Sequence, residues 1–240
     1  MMCVEIVGLS FKFGEQCIFR DFDFSLPTGR FTSLLGASGV GKSTLLRIIA
    51  GLEQNFTGRL SFVDGTRLSY LAQHDALYPW LSVLDNVQLF AHLSGQKTSH
   101  TKDEALALLK QVKMQAHLHK KPYELSGGQR QRVALARTLM MKADLVLMDE
   151  PFSALDAATR HELQALSYEL LHQKTVLLIT HDPQEAIRLS DDIYVLKQSS
   201  DRASTTISTK ISPDGRPVRP LDDGEFGVLH ARLLGELSDK

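Results

Sequence analysis

The run GASGVGKST, from Gly36 to Thr44, contains the residues whose types and spacing most clearly indicate a chemical function. It fits the spacing G-x-x-x-x-G-K-[ST], in which glycines let successive backbone N–H groups curl around phosphate oxygens. Lys42 is placed to reach the β- and γ-phosphates of a nucleotide, and the Ser43 hydroxyl to take one position around Mg²⁺. The same spacing also occurs by chance in ordinary glycine-rich turns, so it needs a structural context.

That context is a strand, a loop and a helix. A β-type segment, Phe31–Leu35, precedes the run, and a helical segment, Leu45–Ala50, follows it. The positive end of the helix dipole then faces the phosphate, which is the arrangement such a loop requires. We therefore expect nucleotide contacts from Gly36, Ala37, Ser38, Gly39, Val40, Gly41, Lys42, Ser43 and Thr44.

A second motif, LVLMDEP, places two acids at the end of an apolar run, Leu145–Pro151. Carboxylates at the carboxyl edge of a parallel sheet lie where α/β folds bind ligands. Asp149 suits Mg²⁺, whereas strand alternation points Glu150 elsewhere, towards polarising an attacking water. An acidic pair after a strand is common, so the motif gains its weight from the phosphate loop upstream.

A third motif, ELSGGQRQRVALARTLM, reads as a strong helix with an unusual entrance. It opens with Ser126, Gly127 and Gly128, although each glycine inside a helix costs roughly 1 kcal/mol relative to alanine. Ser126 is a good N-cap, and glycines remove side chains where free backbone N–H groups meet a ligand. The pattern therefore predicts a second anion-binding helix end, and leaves open what that end faces.

The elements that position these motifs indicate an α/β chain. Short β-rich runs cluster in the first third, helical patterns dominate the middle, and after 145 apolar runs alternate with helices. Continuous apolar runs between helices are typical of parallel strands buried on both faces. The 240 residues are enough for one domain with a sub-domain. We expect a single domain over 1–240, with a helical subdomain over about 74–143 and a short strand/helix extension over about 198–240.

Composition narrows the functional class. The formal net charge of −1 provides no electrostatic footprint for nucleic acid. Cys3 and Cys17 lack metal-ligand spacing, which favours a reducing compartment. No apolar run approaches the ~20 residues that span a bilayer, and the first residues lack the pattern of a signal peptide. We expect a soluble cytoplasmic chain, so that any membrane component comes from a partner.

The segment LSGGQRQR resembles the signature of ATP-binding-cassette (ABC) ATPases, and the order of the motifs matches that family along most of the chain. The resemblance implies a P-loop NTPase core with an N-terminal antiparallel β subdomain and an inserted helical subdomain. It also implies that two copies dimerise head to tail. In that arrangement Ser126, Gly127, Gly128 and Gln129 of one copy contact the γ-phosphate of ATP held by the other.

Four further positions match the family. Phe13 takes the place of the aromatic that stacks on adenine, although a lone aromatic in a β run is usually core. Gln73 matches the Q-loop glutamine, or is an ordinary turn residue. Ser153–Asp156 matches the D-loop, with Asp156 also capping the next helix. His181 matches the switch histidine, or is a surface residue. The resemblance assigns catalysis to Glu150, His181 and Gln73. It assigns the metal to Ser43, Gln73 and Asp149.

The resemblance implies an ATPase that uses ATP and Mg²⁺ at the cytoplasmic face of the inner or plasma membrane. The segment 70–90 most resembles bacterial importer ATPases for nitrate, sulfonates, taurine or thiamine-pyrimidine precursors, and favours the last. The implied partners are a transmembrane permease and a periplasmic or lipid-anchored solute-binding protein, with no nucleic acid. The alternative is a non-transport ABC ATPase of DNA repair, chromosome maintenance or translation. Such proteins usually carry a second cassette, a coiled coil or zinc modules.

Two apolar segments are predicted to make contacts, one with a partner and one with the core. ALYPWLSV, Ala76–Val83, carries apolar residues before a helix that Ser82 can cap over Val83–His92. Exposed apolar clusters mark interfaces, so we expect the permease to dock here, unless Trp80 is buried in the subdomain. The expected docking residues are Leu77, Tyr78, Trp80 and Leu81.

A terminal helix is expected to pack through one face that comprises Phe226, Leu229, Leu233 and Leu237.

Overall fold

The computed structural model describes residues 1–199, 204–221 and 224–238, which form two sheets with surrounding helices. The strands are β1 Met2–Phe13, β2 Gln16–Pro27, β3 Phe31–Gly36, β4 Thr57–Phe62, β5 Leu68–Leu71, β6 Leu145–Asp149, β7 Thr175–Thr180, β8 Asp192–Gln198 and β9 Thr205–Ile207. The helices are α1 Lys42–Ile49, α2 Val83–Val87, α3 Leu89–Leu93, α4 Ser99–Gln111, α5 Gly127–Met140, α6 Ala157–Leu171, α7 Pro183–Leu189 and α8 Gly224–Ser238. None of these helices is long and apolar enough to cross a bilayer.

The smaller sheet is antiparallel and has the order β2-β1-β4. Its long strands β1 and β2 alternate buried and exposed residues, so that only one face meets the core. That face packs on α1, where Leu45 and Leu46 are fully buried in the same cluster as Ile6 and Phe24. The N-terminal antiparallel sheet is thereby confirmed.

The larger sheet has the order β5-β6-β7-β3-β8-β9, and every neighbouring pair is parallel except β8 with β9. All six residues of β7 are buried, as are all six of β3. This confirms that the apolar runs form parallel strands covered on both faces. Because parallel strands end at one edge, the residues that follow β3, β6 and β7 are brought together there.

The chain between β5 and β6 is helical, and its helices share a core with the larger sheet. The prediction of one continuous helix over 83–92 is wrong, because this segment divides into α2 and α3. Gln88 adopts φ −81° and ψ 2°, a bridge conformation that interrupts the helical repeat. Ser82 nevertheless caps α2 as predicted, because its side chain accepts a hydrogen bond from the Asp85 N–H at 3.1 Å.

The C-terminal elements β9 and α8 lie at the end of the larger sheet formed by β8. Strand β9 of the predicted extension is short, because it ends at Ile207 and Ile211 makes only an isolated bridge with Ile193. The predicted apolar face of α8 is confirmed. Phe226 and Leu233 are buried, and Leu229 and Leu237 pack against the same cluster.

A single arginine ties this C-terminal segment to α7. Arg219 is 8% exposed, and the five N–H donors of its guanidinium are all engaged by backbone carbonyl oxygens. The accepting carbonyls, at 2.6–2.9 Å, belong to Asp214, Ile187, Ser190, Pro213 and Gly215. Two of these carbonyls lie at the C-terminal end of α7, where helix carbonyls lack intrahelical partners.

Candidate active site

The phosphate loop, Gly36–Thr44, is wound tightly between β3 and α1. Gly39 and Gly41 have φ of 82° and 104°, in the left-handed region that favours glycine. A Cβ on Gly41 would lie 2.7 Å from Ile18 Cγ2 and 3.0 Å from Phe19 Cζ. The loop therefore presses against β2, and its path depends on the absence of a side chain at Gly41.

Helix α1 begins without a side-chain cap, because its N-cap residue is Gly41. By contrast, Ser126 caps α5 and Asp156 caps α6, each through a side-chain oxygen. The second of these confirms the predicted capping role of Asp156. An uncapped helix start directs its first-turn N–H groups and positive dipole towards any bound anion.

Lys42 supplies the fixed cation of this site. Its ammonium donates to the carbonyls of Gly36 at 2.8 Å and Ala37 at 3.0 Å, and lies 3.6 Å from Glu150 Oε1. Its side chain is 4% exposed, and burial lowers the pKa of Lys42 while the Glu150 carboxylate opposes that shift. The amine is thus held against the loop between its carbonyls and the acid.

Asp149 is the last residue of β6, and both of its carboxylate oxygens are held. Oδ1 accepts from the Ser43 hydroxyl at 2.9 Å, and Oδ2 accepts from the Tyr70 hydroxyl at 2.8 Å. Burial, followed by the charge of Asp149, raises the pKa of the Tyr70 phenol, which keeps it a donor. Tyr70 was missed by the sequence reasoning. No local signal pointed to this tyrosine, because its contact with Asp149 depends on β5 lying beside β6 in the sheet.

Glu150 follows immediately and points elsewhere, as predicted. Its φ is 44°, a left-handed conformation that costs a non-glycine residue about 1–3 kcal/mol. Its backbone N–H donates to Ile179 O at 2.9 Å, and the Ser153 hydroxyl donates to its carbonyl at 2.9 Å. The turn aims the carboxylate at His181, whose Nδ1 lies 2.8 Å from Oε2. The two adjacent acids therefore have separate partners.

The oxygens around Ser43 and Asp149 suit Mg²⁺. In the part of the chain that the structure describes, no group of three or more His, Cys, Asp or Glu side chains could hold a metal alone. Mg²⁺ is usually held by one or two protein oxygens, with phosphates and waters completing an octahedron. A hydroxyl and a carboxylate 2.9 Å apart beside a phosphate loop provide that partial set.

The remaining predicted residues lie around this cluster. Phe13 ends β1 with 75% of its side chain exposed, so the alternative of a core aromatic is wrong. Gln73 is exposed just beyond β5. It lies two residues past Leu71, whose parallel partner Met148 lies two residues before Glu150, which puts Gln73 level with the acid. No hydrogen bond joins Gln73 to the cluster among the described residues.

The signature segment, Ser126–Gln129, has its cap completed within the chain. The Ser126 hydroxyl accepts from the Gln129 N–H at 3.3 Å, and Gln129 Oε1 accepts from the Ser126 N–H at 3.0 Å. A Cβ on Gly128 would lie 2.4 Å from Thr159 Cγ2 of α6, whereas one on Gly127 would have no atom nearer than 3.9 Å. Gly128 is thus required by packing against Thr159, which the sequence analysis did not identify, whereas a Cβ on the exposed Gly127 would make only an ordinary contact with Arg130 Nη2.

The predicted docking residues divide between core and surface. Trp80 is 67% exposed and Tyr78 40% exposed, with their rings edge to face at a centroid distance of 5.1 Å. The alternative that Trp80 is buried is therefore wrong. Leu77 belongs to the helical core at 8% exposure, so its predicted surface role is also wrong. The Asn86 side chain fixes the intervening loop by bonding backbone groups of Tyr78 and Leu81.

Comparisons with known proteins agree on one family. A family model described as "ABC transporter" matches residues 19–153. An uncharacterised ABC transporter ATP-binding protein of Haemophilus influenzae is 51% identical, over 98% of both chains. Aliphatic sulfonates import ATP-binding protein SsuB 1 of Rhodococcus jostii is 46% identical, over 98% of this chain and 93% of that protein.

Solved structures give the same result for the fold. The ATP-binding cassette MJ0796, in a dimeric post-hydrolysis state bound to ADP and Pi, aligns with a TM-score of 0.73 and 28% identity, over 88% of this chain and 99% of that one. A second dimeric structure of MJ0796, described as a bacterial ABC transporter cassette, has a TM-score of 0.72 at the same identity. The predicted ABC ATPase fold is confirmed. With a family model over more than half of the chain and full-length relatives at these identities, the chain belongs to the ABC transporter family as an ATP-binding cassette.

Proposed function

We propose that this chain is the ATP-hydrolysing subunit of a bacterial importer and acts at the cytoplasmic face of the membrane through a permease. The observation that carries the proposal is the cluster of Lys42, Ser43, Asp149, Glu150 and His181 at one sheet edge. Full-length similarity to proteins named as import ATP-binding subunits supports it. The same similarity disfavours a role in DNA repair, chromosome maintenance or translation.

The phosphate loop binds ATP in this proposal. Backbone N–H groups of Gly36–Thr44 and the uncapped start of α1 hold the phosphates, and Lys42 binds the β- and γ-phosphates. The exposed ring of Phe13 stacks on adenine. Ser43 and Asp149, with Gln73, would hold Mg²⁺, which would neutralise charge on the phosphates.

Glu150 then acts as the general base. A water oxygen attacks the γ-phosphorus, its proton passes to a Glu150 carboxylate oxygen, and the bond from the γ-phosphorus to the β–γ bridging oxygen breaks. His181 orients that carboxylate through its Nδ1 contact at 2.8 Å and reaches the γ-phosphate. The Lys42 ammonium, 3.6 Å from the other carboxylate oxygen, balances charge that develops on the phosphate.

Two copies assemble head to tail, so that each signature segment completes the site of its partner. Ser126, Gly127, Gly128 and Gln129 contact the γ-phosphate held by the opposite phosphate loop. The exposure of Gly127 supports this arrangement, since among the described residues a Cβ there would meet only Arg130 Nη2, at 3.9 Å. The ATP-binding cassette MJ0796, a related protein, has a dimeric structure bound to ADP and Pi, which supports assembly of two copies.

The whole chain, 1–240, works as one domain in this proposal. The helical subdomain, about 74–143, carries the partner-facing surfaces, and the extension, about 198–240, packs against the core. The permease docks on the exposed pair Tyr78 and Trp80, which follow Gln73 closely and thereby link docking to the nucleotide. A periplasmic or lipid-anchored solute-binding protein delivers the solute.

Sulfonates are the favoured solutes among those considered. Relatives that match over most of this chain are named for aliphatic sulfonate import. Those names weigh against the preference for thiamine-pyrimidine precursors, and leave nitrate and taurine as secondary choices.

The test is uptake in cells of the source organism that lack this chain. Four labelled solutes are compared: an aliphatic sulfonate, taurine, nitrate and a thiamine-pyrimidine precursor. The wild-type chain should restore uptake of the sulfonate, and Glu150→Gln should not, although it should retain ATP binding and accumulate an ATP-bound dimer on size exclusion. Near wild-type hydrolysis by Glu150→Gln would remove Glu150 as the base. Restoration of none of the four uptakes would contradict the importer assignment.

A further inference from the structure

A cavity of about 560 Å³ lies beside the phosphate loop, and the C-terminal part of the chain forms one of its walls. Ala37–Val40 line one side, and Gln16–Ile18 of β2 line a second. The third side comes from the end of β8, the start of β9 and the last turn of α8. The volume lies in the range of small-molecule sites.

The register of the larger sheet places a cation at the entrance of the phosphate loop. Leu196 of β8 pairs with Gly36, and a Cβ on Gly36 would lie 2.8 Å from the Leu196 carbonyl oxygen. Lys197, the next residue, is therefore level with Ala37, where the loop begins. Both residues line the cavity.

An acid from the C-terminal helix restrains this cation. Lys197 Nζ lies 3.3 Å from Glu236 Oε2, and Glu236 Oε1 lies 3.6 Å from Arg232 Nε. The side chains of Lys197 and Glu236 are only 29% and 22% exposed. Charges that are partly withdrawn from solvent interact more strongly than those on an open surface. The pair is thus placed to influence a bound anion.

The same wall is fastened to the phosphate loop. The hydroxyl of Thr205 in β9 donates to the Val40 carbonyl at 2.7 Å, and Thr205 is buried. On the other side, Leu233 of α8 is fully buried in the C-terminal cluster, which anchors the helix to the sheet. Loop, β9 and helix therefore form a connected support around the cavity.

We propose that Lys197 is an additional cation of the ATP site, and that the last turn of α8 sets its strength through Glu236. The proposal rests on the proposed function, in which Gly36–Thr44 hold ATP. ATP is a polyanion, so a cation beside the loop attracts it, and an acid bonded to that cation weakens the attraction. The C-terminal helix thereby tunes the affinity for ATP.

An ion pair that only stabilises the position of α8 and one that changes the electrostatic field at the loop should affect ATP affinity differently. If the pair only holds α8 in place, removal of either charge loosens the same wall, and both substitutions change ATP affinity in the same direction. If the pair tunes the field at the loop, removal of Lys197 weakens binding and removal of Glu236 strengthens it. The signs of the two effects therefore distinguish the explanations.

The experiment measures dissociation constants for ATP, ADP and adenosine by calorimetry on the full-length chain. Lys197→Gln should raise the Kd for ATP about three- to tenfold, and Glu236→Gln should lower it about two- to fivefold, as a single partly screened charge permits. Both effects should shrink for ADP, be absent for adenosine, and fade at high salt because mobile ions screen the charges.

The matched controls are Arg67→Gln and Asp144→Asn. These residues form an ion pair at 3.4 Å beside the starts of β5 and β6, the sheet edge opposite the phosphate loop. Each control should leave all three dissociation constants unchanged. Lys197→Arg, which keeps the charge, should retain wild-type affinity even if Lys197→Gln lowers the melting temperature.

Shifts of the same sign for Lys197→Gln and Glu236→Gln would overturn the inference, as would shifts no larger than those of the controls or loss of affinity in Lys197→Arg. Lys42→Ala separates this failure from failure of the proposed function. If Lys42→Ala abolishes ATP binding while Lys197 has no effect, only the inference is wrong. If Lys42→Ala binds ATP normally, the proposed site itself is wrong.

Discussion

Two helices of this cassette have a glycine at their start, and the two glycines serve different purposes: Gly41 is the N-cap of α1, and Gly127 is the first residue of α5. At α1, Gly41 is the N-cap, adopts φ 104° and offers no side chain to the first-turn amides. At α5, a reciprocal Ser126–Gln129 cap is complete, and Gly127 follows it in ordinary helical conformation. One start has a left-handed glycine and no side-chain cap, whereas the other has a helical glycine behind a side-chain cap.

The difference indicates where the ligand of each helix comes from. The start of α1 lies in the same cluster as Lys42, Asp149 and Glu150, so its anion site is built within one chain. The start of α5 has its side-chain cap within the chain, and Gly127 beside that cap is exposed. In the proposed dimer, this exposed position faces the γ-phosphate of the partner's ATP.

The largest effect is expected from Gly41→Ala. The new Cβ would require a left-handed alanine and would lie 2.7 Å from Ile18 Cγ2. Strain of this kind should lower the free energy of unfolding by about 1–3 kcal/mol. Displacement of the loop should weaken ATP binding about 100-fold. Calorimetry with ATP and denaturant unfolding measure the two losses. Gly39→Ala is the control, because its φ is also positive but nothing lies within 4 Å. Equal losses in both variants would exclude the contact with β2 as the cause.

Gly127→Asp should separate ATP binding from hydrolysis. The side chain has room within the chain, so the Kd for ATP should not change. Hydrolysis should fall by about 100-fold or more, since like charges across an interface cost several kcal/mol. A coupled phosphate-release assay measures the rate. Mixing this variant with Lys42→Ala subunits should recover part of the activity through one intact composite site. Full activity of Gly127→Asp alone would contradict the shared site.

Gly128→Ala should destabilise the isolated chain, in contrast to its neighbour. Its Cβ would lie 2.4 Å from Thr159 Cγ2, and overpacking of this kind typically costs about 1–3 kcal/mol. Thr159→Ser removes the obstructing methyl but keeps the hydroxyl, so it should restore most of the loss. A double-mutant cycle by urea unfolding tests this coupling. Simple additivity of the two substitutions would show that the contact is not the cause.

The smallest effect is expected from Gly127→Ala. Alanine is a better helix former than glycine by up to about 1 kcal/mol, and its methyl group meets no atom of the chain within 3.9 Å. The free energy of unfolding should therefore stay the same or rise slightly. Urea unfolding beside Gly128→Ala measures the contrast. A clear loss of stability at 127 would mean that the two glycines do not differ as described.

Much of the site was predictable because its signals are local. The phosphate loop lies between its expected strand and helix, and Asp149 and Glu150 have separate partners as expected, although a left-handed turn at Glu150 and not strand alternation separates them. Other features depend on residues that are distant in sequence. The Tyr70 bond to Asp149 requires the pairing of β5 with β6, and the packing of Gly128 requires Thr159. Motif spacing contains no information about such neighbours.

The surface prediction for Leu77 failed for a related reason. Leu77 and Trp80 belong to one apolar run around Pro79, which has neither helical nor strand periodicity. Without a period, the pattern predicts no inward or outward face, so Leu77 becomes core while Trp80 stays exposed. Likewise, a single helix over 83–92 agreed with local propensity, but Gln88 is buried in a non-helical conformation.

The attachment of Arg219 has a consequence for how this segment can vary in sequence. Every acceptor of its guanidinium is a backbone carbonyl, at positions 187, 190, 213, 214 and 215. Such oxygens are present whatever residue occupies the position. Substitutions at those five positions can therefore accumulate without loss of these bonds, provided the backbone path is kept. The requirement for a particular side chain therefore falls on Arg219 alone. Lysine has only three donors and no planar guanidinium, so it could not bind the carbonyls of α7 and those of residues 213–215 together.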